Sequence, residues 1–209
     1  FATFYPGLFN KEIFGDNEMS WYFRSQMNGA IAAGKQNSLP VRNSLAGSSR
    51  HYPKGASVLY MLQHVLGKDN FKRSIKLYLE RHSFQTVETW DLQKAIIDAT
   101  GINMDWFFDE WIHKGGEPKY KISTQLIQRQ NLKNESSQSS ETFLEFTVDQ
   151  IQKTDPIVGI FKMPIDFAVY YTDGSIDRKT VMIDKSTQKV LFPTNGKTVL
   201  FKLFDEGGF

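Results

Sequence analysis

Few side chains in this sequence could carry chemistry. The histidines stand at positions 51, 64, 82 and 113. No two are four residues apart, the spacing that puts a pair of imidazoles side by side on one helical face to hold a metal. The sequence has no cysteine, which excludes thiolate metal sites and disulfide frameworks. His64 falls late in a helical pattern, where a core or surface role is expected. His82 and His113 fall near helix C-termini, where a partly charged imidazole suits the helix dipole. His51 differs because it adjoins Tyr52. A tyrosine just before a helix can pack its ring and bond its hydroxyl locally, or it can present that hydroxyl as a fixed hydrogen-bond donor. Trp106, Phe107, Phe108 and Trp111 suggest a ring platform, but their helical spacing points to core packing.

The first half of the chain has the 3.6-residue period that would position such groups. A helix is expected from Asn17 to Ala33, ending near Gly34, followed by a polar loop from Lys35 to Arg50. Pro53 suits the first turn of the next helix, where its missing N–H is harmless. That helix carries Val58, Leu59, Met61, Leu62, Val65 and Leu66, is apolar almost all round, and is expected to be buried. Asp69 or Asn70 can cap a helix with Phe71, Ile75, Tyr78 and Leu79 on one face. Leu92, Ala95, Ile96 and Ala99 form another helical stripe closed by Gly101. Asn103 can cap a last helix bearing Met104, Phe107 and Trp111, and Gly115, Gly116 and Pro118 end it.

From Lys119 the period becomes two. Tyr120, Ile122, Thr124 and Leu126 alternate with mostly polar neighbours, as do Leu144, Phe146 and Val148, and then Met163 to Tyr171. Asp173-Gly174 marks a hairpin turn into Ile176 to Ile183. Lys189 to Phe192, an Asn195-Gly196 turn and Thr198 to Phe204 bring the run to about six strands, with a polar loop at Asn131 to Ser140. The fold class is therefore α+β in two domains, all-α over residues 1–116 and an antiparallel β-sandwich over 117–209.

Composition is that of a globular protein, with 40% hydrophobic and 23% charged residues and a net charge of +2. Basic residues are spread along the chain without a block interleaved with aromatics, which argues against a nucleic-acid partner. No apolar run approaches the roughly 20 residues that span a bilayer.

The stretch His51-Tyr52-Pro53-Lys54-Gly55, followed by an apolar helix, resembles the Tyr-x-Lys-Gly motif of the aminopeptidase N family of zinc metallopeptidases. Val87 to Leu92 resembles the family's Thr-x-x-Asp-Leu helix start. Gly101 to Trp111 resembles its Gly-x-x-Leu-x-x-Phe-Phe-x-x-Trp segment, and Gly116-Glu117-Pro118 its Gly-x-Pro opening of a β-sandwich. Phe1-Ala2-Thr3-Phe4 looks like the residues that follow the family's third zinc ligand, a glutamate.

The resemblance implies a thermolysin-like catalytic domain whose final helical part is residues 1–116. Tyr52 is then the catalytic residue, donating its hydroxyl to the tetrahedral intermediate, with Lys54 as architecture beside it. Gly55 reads as permitting close packing in the first helical turn. Phe1 to Phe4 would continue the ligand-bearing helix. Zinc is the cofactor of the parent protein, a peptide its substrate, and the missing N-terminal part its partner, while this chain holds no metal ligands. A zinc-free scaffold relative is the alternative. A catalytic domain divided in this way should expose Phe1, Phe4 and a face of the Pro53 to Leu66 helix. The 209-residue chain alone should retain no stoichiometric zinc after dialysis against a weak chelator, measured by metal analysis, and should not hydrolyse aminoacyl substrates.

Overall fold

Gly67 and Gly101 take positive φ angles of 78° and 73° and punctuate the helical half where the sequence places its breaks. The computed structural model describes residues 1–130 and 140–204. The chain forms two compact units, Phe1–Glu117 with Thr154–Gly159, and Pro118–Lys153 with Ile160–Phe209.

The first unit contains helices α1 (Tyr5–Phe14), α2 (Asp16–Gly34), α3 (Gly55–Leu66), α4 (Lys68–Arg81), α5 (Thr89–Thr100) and the short α6 (Asp105–Phe108). The sequence pattern gave no sign of α1, whose Pro6 lies in its first turn, where proline's fixed φ suits a helix. Gly7 lets α1 lie directly on α2, because a Cβ there would come within 2.6 Å of the Phe23 ring. Phe23 stacks on Tyr60 of α3 with centroids 4.1 Å apart, and Phe4 lies between Phe23 and Phe71 at 5.6 and 5.5 Å. This ring cluster joins α2, α3 and α4 to the turn that leads into α1. α3 buries Ala56, Val58, Leu59, Met61, Leu62 and Leu66, as its all-round apolar character requires. The aromatic run also packs inward, with Phe107, Phe108 and Trp111 buried.

Phe4 is fully buried, contrary to the exposure expected of it, because the flanking rings of Phe23 and Phe71 enclose it. Phe1 is exposed, as expected, and so are Tyr5, Phe9, Ile13 and Phe14 of α1. Phe1 to Phe4 form a turn that leads into α1, with the Tyr5 amide donating to the Phe1 carbonyl at 3.1 Å. At the start of α4, Asn70 does not cap. Its side chain reaches back to the Leu66 carbonyl at 3.0 Å. α5 opens with a capping box in which the Glu88 amide donates to the Asp91 carboxylate at 2.8 Å. Residues 154–159 belong with this unit, the Gly115 amide donating to the Ile157 carbonyl at 3.1 Å and Val158 lying where a Cβ on Gly116 would fall.

The second unit holds β1 (Tyr120–Gln130), β2 (Ser140–Gln150), β3 (Met163–Tyr171), β4 (Ile176–Ile183), β5 (Thr187–Pro193) and β6 (Val199–Phe204). They form two antiparallel three-stranded sheets, ordered β1-β2-β5 and β4-β3-β6. Phe146 of β2 meets Phe167 of β3 edge to face at 5.2 Å, so the buried faces of the two central strands close on each other. Asn195 and Gly196 both take positive φ, as the sequence signal requires, and their turn connects strands of different sheets. Leu126, inward by alternation, is exposed, since it lies on the edge strand β1. Of the loop expected at Asn131 to Ser140, residues 131–139 lie outside the described residues.

Replacing Phe23 with alanine removes a ring shared by α1, α2, α3 and the Phe4 contact. It should lower the stability of the helical unit by about 3–5 kcal/mol, measured by urea titration with far-UV circular dichroism.

Candidate active site around Tyr52

The backbone at Tyr52 is neither loop nor α-helix. Residues Arg50–Lys54 form a single π-helical turn with Pro53 inside it. Pro53 cannot donate a hydrogen bond, so the i→i−4 ladder is interrupted there and α3 starts only at Gly55. The Gly55 amide returns to the Tyr52 carbonyl, and the Ser57 hydroxyl donates to the Pro53 carbonyl at 2.8 Å. Expecting Pro53 in the first turn of a regular helix misses this wider turn.

Tyr52 is 58% exposed, and among the described residues its hydroxyl has no hydrogen-bond partner. The ring forms part of the wall of a cavity of about 410 Å³, together with Phe1, Thr3, Leu59, Leu62, Glu88 and Phe108. Gly55 lines the same cavity. Nothing stands within 4 Å of where its Cβ would be, so close packing is not what a glycine provides at this position. Its missing side chain leaves the space next to Tyr52 open.

The other residues singled out by sequence take structural parts. His51 Nε2 bonds the Asn43 carbonyl at 2.9 Å, which requires that nitrogen to carry the proton. His113 Nδ1 lies 2.9 Å from an Arg42 guanidinium nitrogen and accepts that hydrogen bond through its lone pair. His82 lies 4.0 Å from the Asp91 carboxylate and beside the Tyr78 ring. His64 stands in the last turn of α3.

Lys54 is buried, and its ammonium donates to the Gly116 carbonyl at 2.6 Å and to Glu117 Oε1 at 3.1 Å. Arg50 is fully buried. It pairs with the same Glu117 oxygen and donates to the Leu39 carbonyl through Nη2 at 3.0 Å and Nε at 3.3 Å. Gly34 makes room, since a Cβ there would collide with the Glu117 carboxylate. Sequence reasoning missed Arg50, which it left in a polar loop, and Glu117. A pair separated by 67 positions carries no local pattern. Burial pushes the Lys54 ammonium down from 10.5 to about 8, with Glu117 opposing the shift and the Arg50 charge adding to it.

Residues 43–111 match the Peptidase family M1 domain. That span runs from the Asn43 turn through Tyr52 to Trp111, and it contains the cavity wall on α3. The chain belongs to the M1 peptidase family. It is 30% identical over 142 residues to "Probable aminopeptidase 1" of Sulfurisphaera tokodaii, covering 68% of this chain and 16% of that protein. It is 33% identical over 76 residues to the aminopeptidase N of Lactococcus lactis subsp. lactis, covering 36% of this chain and 9% of that protein. The chain therefore spans under a fifth of the length of these curated M1 relatives. The fold resembles that of Legionella pneumophila aminopeptidase A, solved in complex with aspartic acid, with a TM-score of 0.60 and 17% identity over 92% of this chain and 20% of that one. M1 is a family of zinc metallopeptidases. Among the described residues no three His, Asp or Glu side chains converge as a metal site. No helix among them is long and apolar enough to cross a membrane.

The buried lysine gives stability a pH dependence. The unfolded chain holds the Lys54 proton up to about 10.5 and the folded chain releases it near 8. Between those values the unfolded state binds more protons, so stability rises with pH. Relative to Lys54→Met, the chain should gain on the order of 3 kcal/mol between pH 8 and 10.5, measured by paired denaturant titrations across that range.

Proposed function

We propose that the whole protein is a zinc-dependent aminopeptidase that removes N-terminal residues from peptides. In this reading residues 1–116 are the C-terminal helical part of a thermolysin-like catalytic domain, and 117–209 a β-sandwich that follows it. Zinc and its ligands come from residues outside these 209, which are the partner this chain needs and without which it is inactive. Zinc supplies the activation of water. What this chain supplies is Tyr52, with Lys54 and Gly55 as the motif that surrounds it.

The single observation that carries the reading is the state of Tyr52 within M1 sequence, exposed at a cavity wall with its hydroxyl unengaged. As water adds to a scissile carbonyl, the carbonyl oxygen takes up negative charge, and a hydroxyl held beside it donates a hydrogen bond that strengthens as the charge grows. A preorganised donor of this kind is worth about 10²–10³ in rate. A zinc-free scaffold would have no use for such a donor, which favours the enzyme over that alternative.

In a protein extended to include the zinc ligands, Tyr52→Phe should lower kcat by roughly 10²–10³ with KM changed little, because the hydroxyl meets a charge present only in the transition state. Zinc content and melting temperature should stay as in the parent, since the ring remains and Tyr52 is no ligand. Full activity in the variant would make the tyrosine structural. Loss of zinc or of the fold would assign it a different role.

A further inference from the structure

One carboxylate touches both ends of the turn that carries Tyr52. Glu117 Oε1 pairs with Arg50, two residues before the tyrosine, and with Lys54, two residues after it. Each cation has a second anchor outside the turn, the Leu39 carbonyl for Arg50 and the Gly116 carbonyl for Lys54. We infer that Glu117 is a positioning residue for Tyr52, clamping the π-helical turn from both sides so that the hydroxyl is held at the cavity wall. The inference rests on the reading of Tyr52 as a donor.

A single π-helical turn is an uncommon backbone state that the surrounding structure has to hold in place. Ion pairing does so here with direction, because the two cations repel each other and the shared carboxylate draws both toward one point. Arg50 and Lys54 are buried while Glu117 is 22% exposed. Removing the carboxylate charge leaves the Arg50 guanidinium, which cannot shed its proton, uncompensated out of water and takes from Lys54 its partner in the ion pair, and the relief open to Arg50 is for the turn to open toward solvent. Tyr52 lies at the middle of that turn. The aromatic cluster of Phe4, Phe23 and Tyr60 and the α4–α5 pair make no use of Glu117, so loss of its charge is felt locally.

Two measurements test this. On the 209-residue chain, hydrogen exchange read by mass spectrometry should show Glu117→Gln speeding amides 47–55 by about tenfold or more, with amides 68–100 unchanged. Glu117→Asp, which keeps the charge, should restore most of the protection. Exchange over 47–55 within twofold of the parent, or equal acceleration throughout the helical unit, would overturn the inference. In the protein extended to include the zinc ligands, Glu117→Gln should lower kcat about tenfold or more with KM little changed. The same change in a Tyr52→Phe background should add no further loss, because it acts through the tyrosine. If Tyr52→Phe keeps full activity, the reading of Tyr52 falls and takes this inference with it. If Tyr52→Phe is slow while Glu117→Gln is not, or if the two losses multiply, the inference alone falls.

Discussion

Two positive charges lie out of water within five residues of one another at Arg50 and Lys54. Burying one unpaired cation destabilises a protein by several kcal/mol, and a second of like sign beside it adds repulsion. The surrounding structure is arranged around that demand. Glu117 supplies the countercharge, the Leu39 and Gly116 carbonyls take the remaining donors, and α2 ends in a glycine because any side chain there would occupy the carboxylate's place. Helix end, polar loop and the close of the helical unit are thus tied to one turn. The low proton affinity of Lys54 is the residue of a desolvation penalty that its partners offset only in part.

The same turn opens on its other side to an apolar cavity. Tyr52 and Gly55 face it while Arg50 and Lys54 face the ionic cluster. A π-helical turn spreads its five residues more widely than an α-turn, and proline within it removes a backbone donor that would otherwise need a partner. Apolar packing below, in the Phe4, Phe23, Phe71 and Tyr60 rings, gives the rigid base from which the turn projects.

Much of the fold was legible because it is local. The stripe of Leu92, Ala95 and Ile96, the apolar circumference of α3 and the Asp173-Gly174 and Asn195-Gly196 turns are set by residues within a few positions of each other, where periodicity and φ preference act directly. α1 was not legible, since Gly7 weakens its propensity and Phe9, Ile13 and Phe14 are exposed instead of forming an inward stripe. At the site, Tyr52 stood out by its place before a helix and by resemblance. Arg50 read as the end of a polar loop, and its partner lies 67 positions away, a distance over which no residue pattern signals a contact. Gly55 was misread for a related reason, because whether a missing Cβ admits a neighbour or leaves a void depends on what the tertiary fold brings near.

The return of residues 154–159 to the helical unit makes that unit discontinuous in sequence. Val158 fills the space over Gly116, and the Ile157 carbonyl takes the Gly115 amide, immediately beside the carbonyl that anchors Lys54. During synthesis the helices can form as they emerge, but the end of the unit is closed only after β1 and β2 have also been made. Its last contacts therefore carry a loop-closure entropy that the α4–α5 pair does not. A cut at residue 117 would preserve every helix and still leave that end of the unit uncovered, so the smallest faithful piece of the helical unit extends through Gly159.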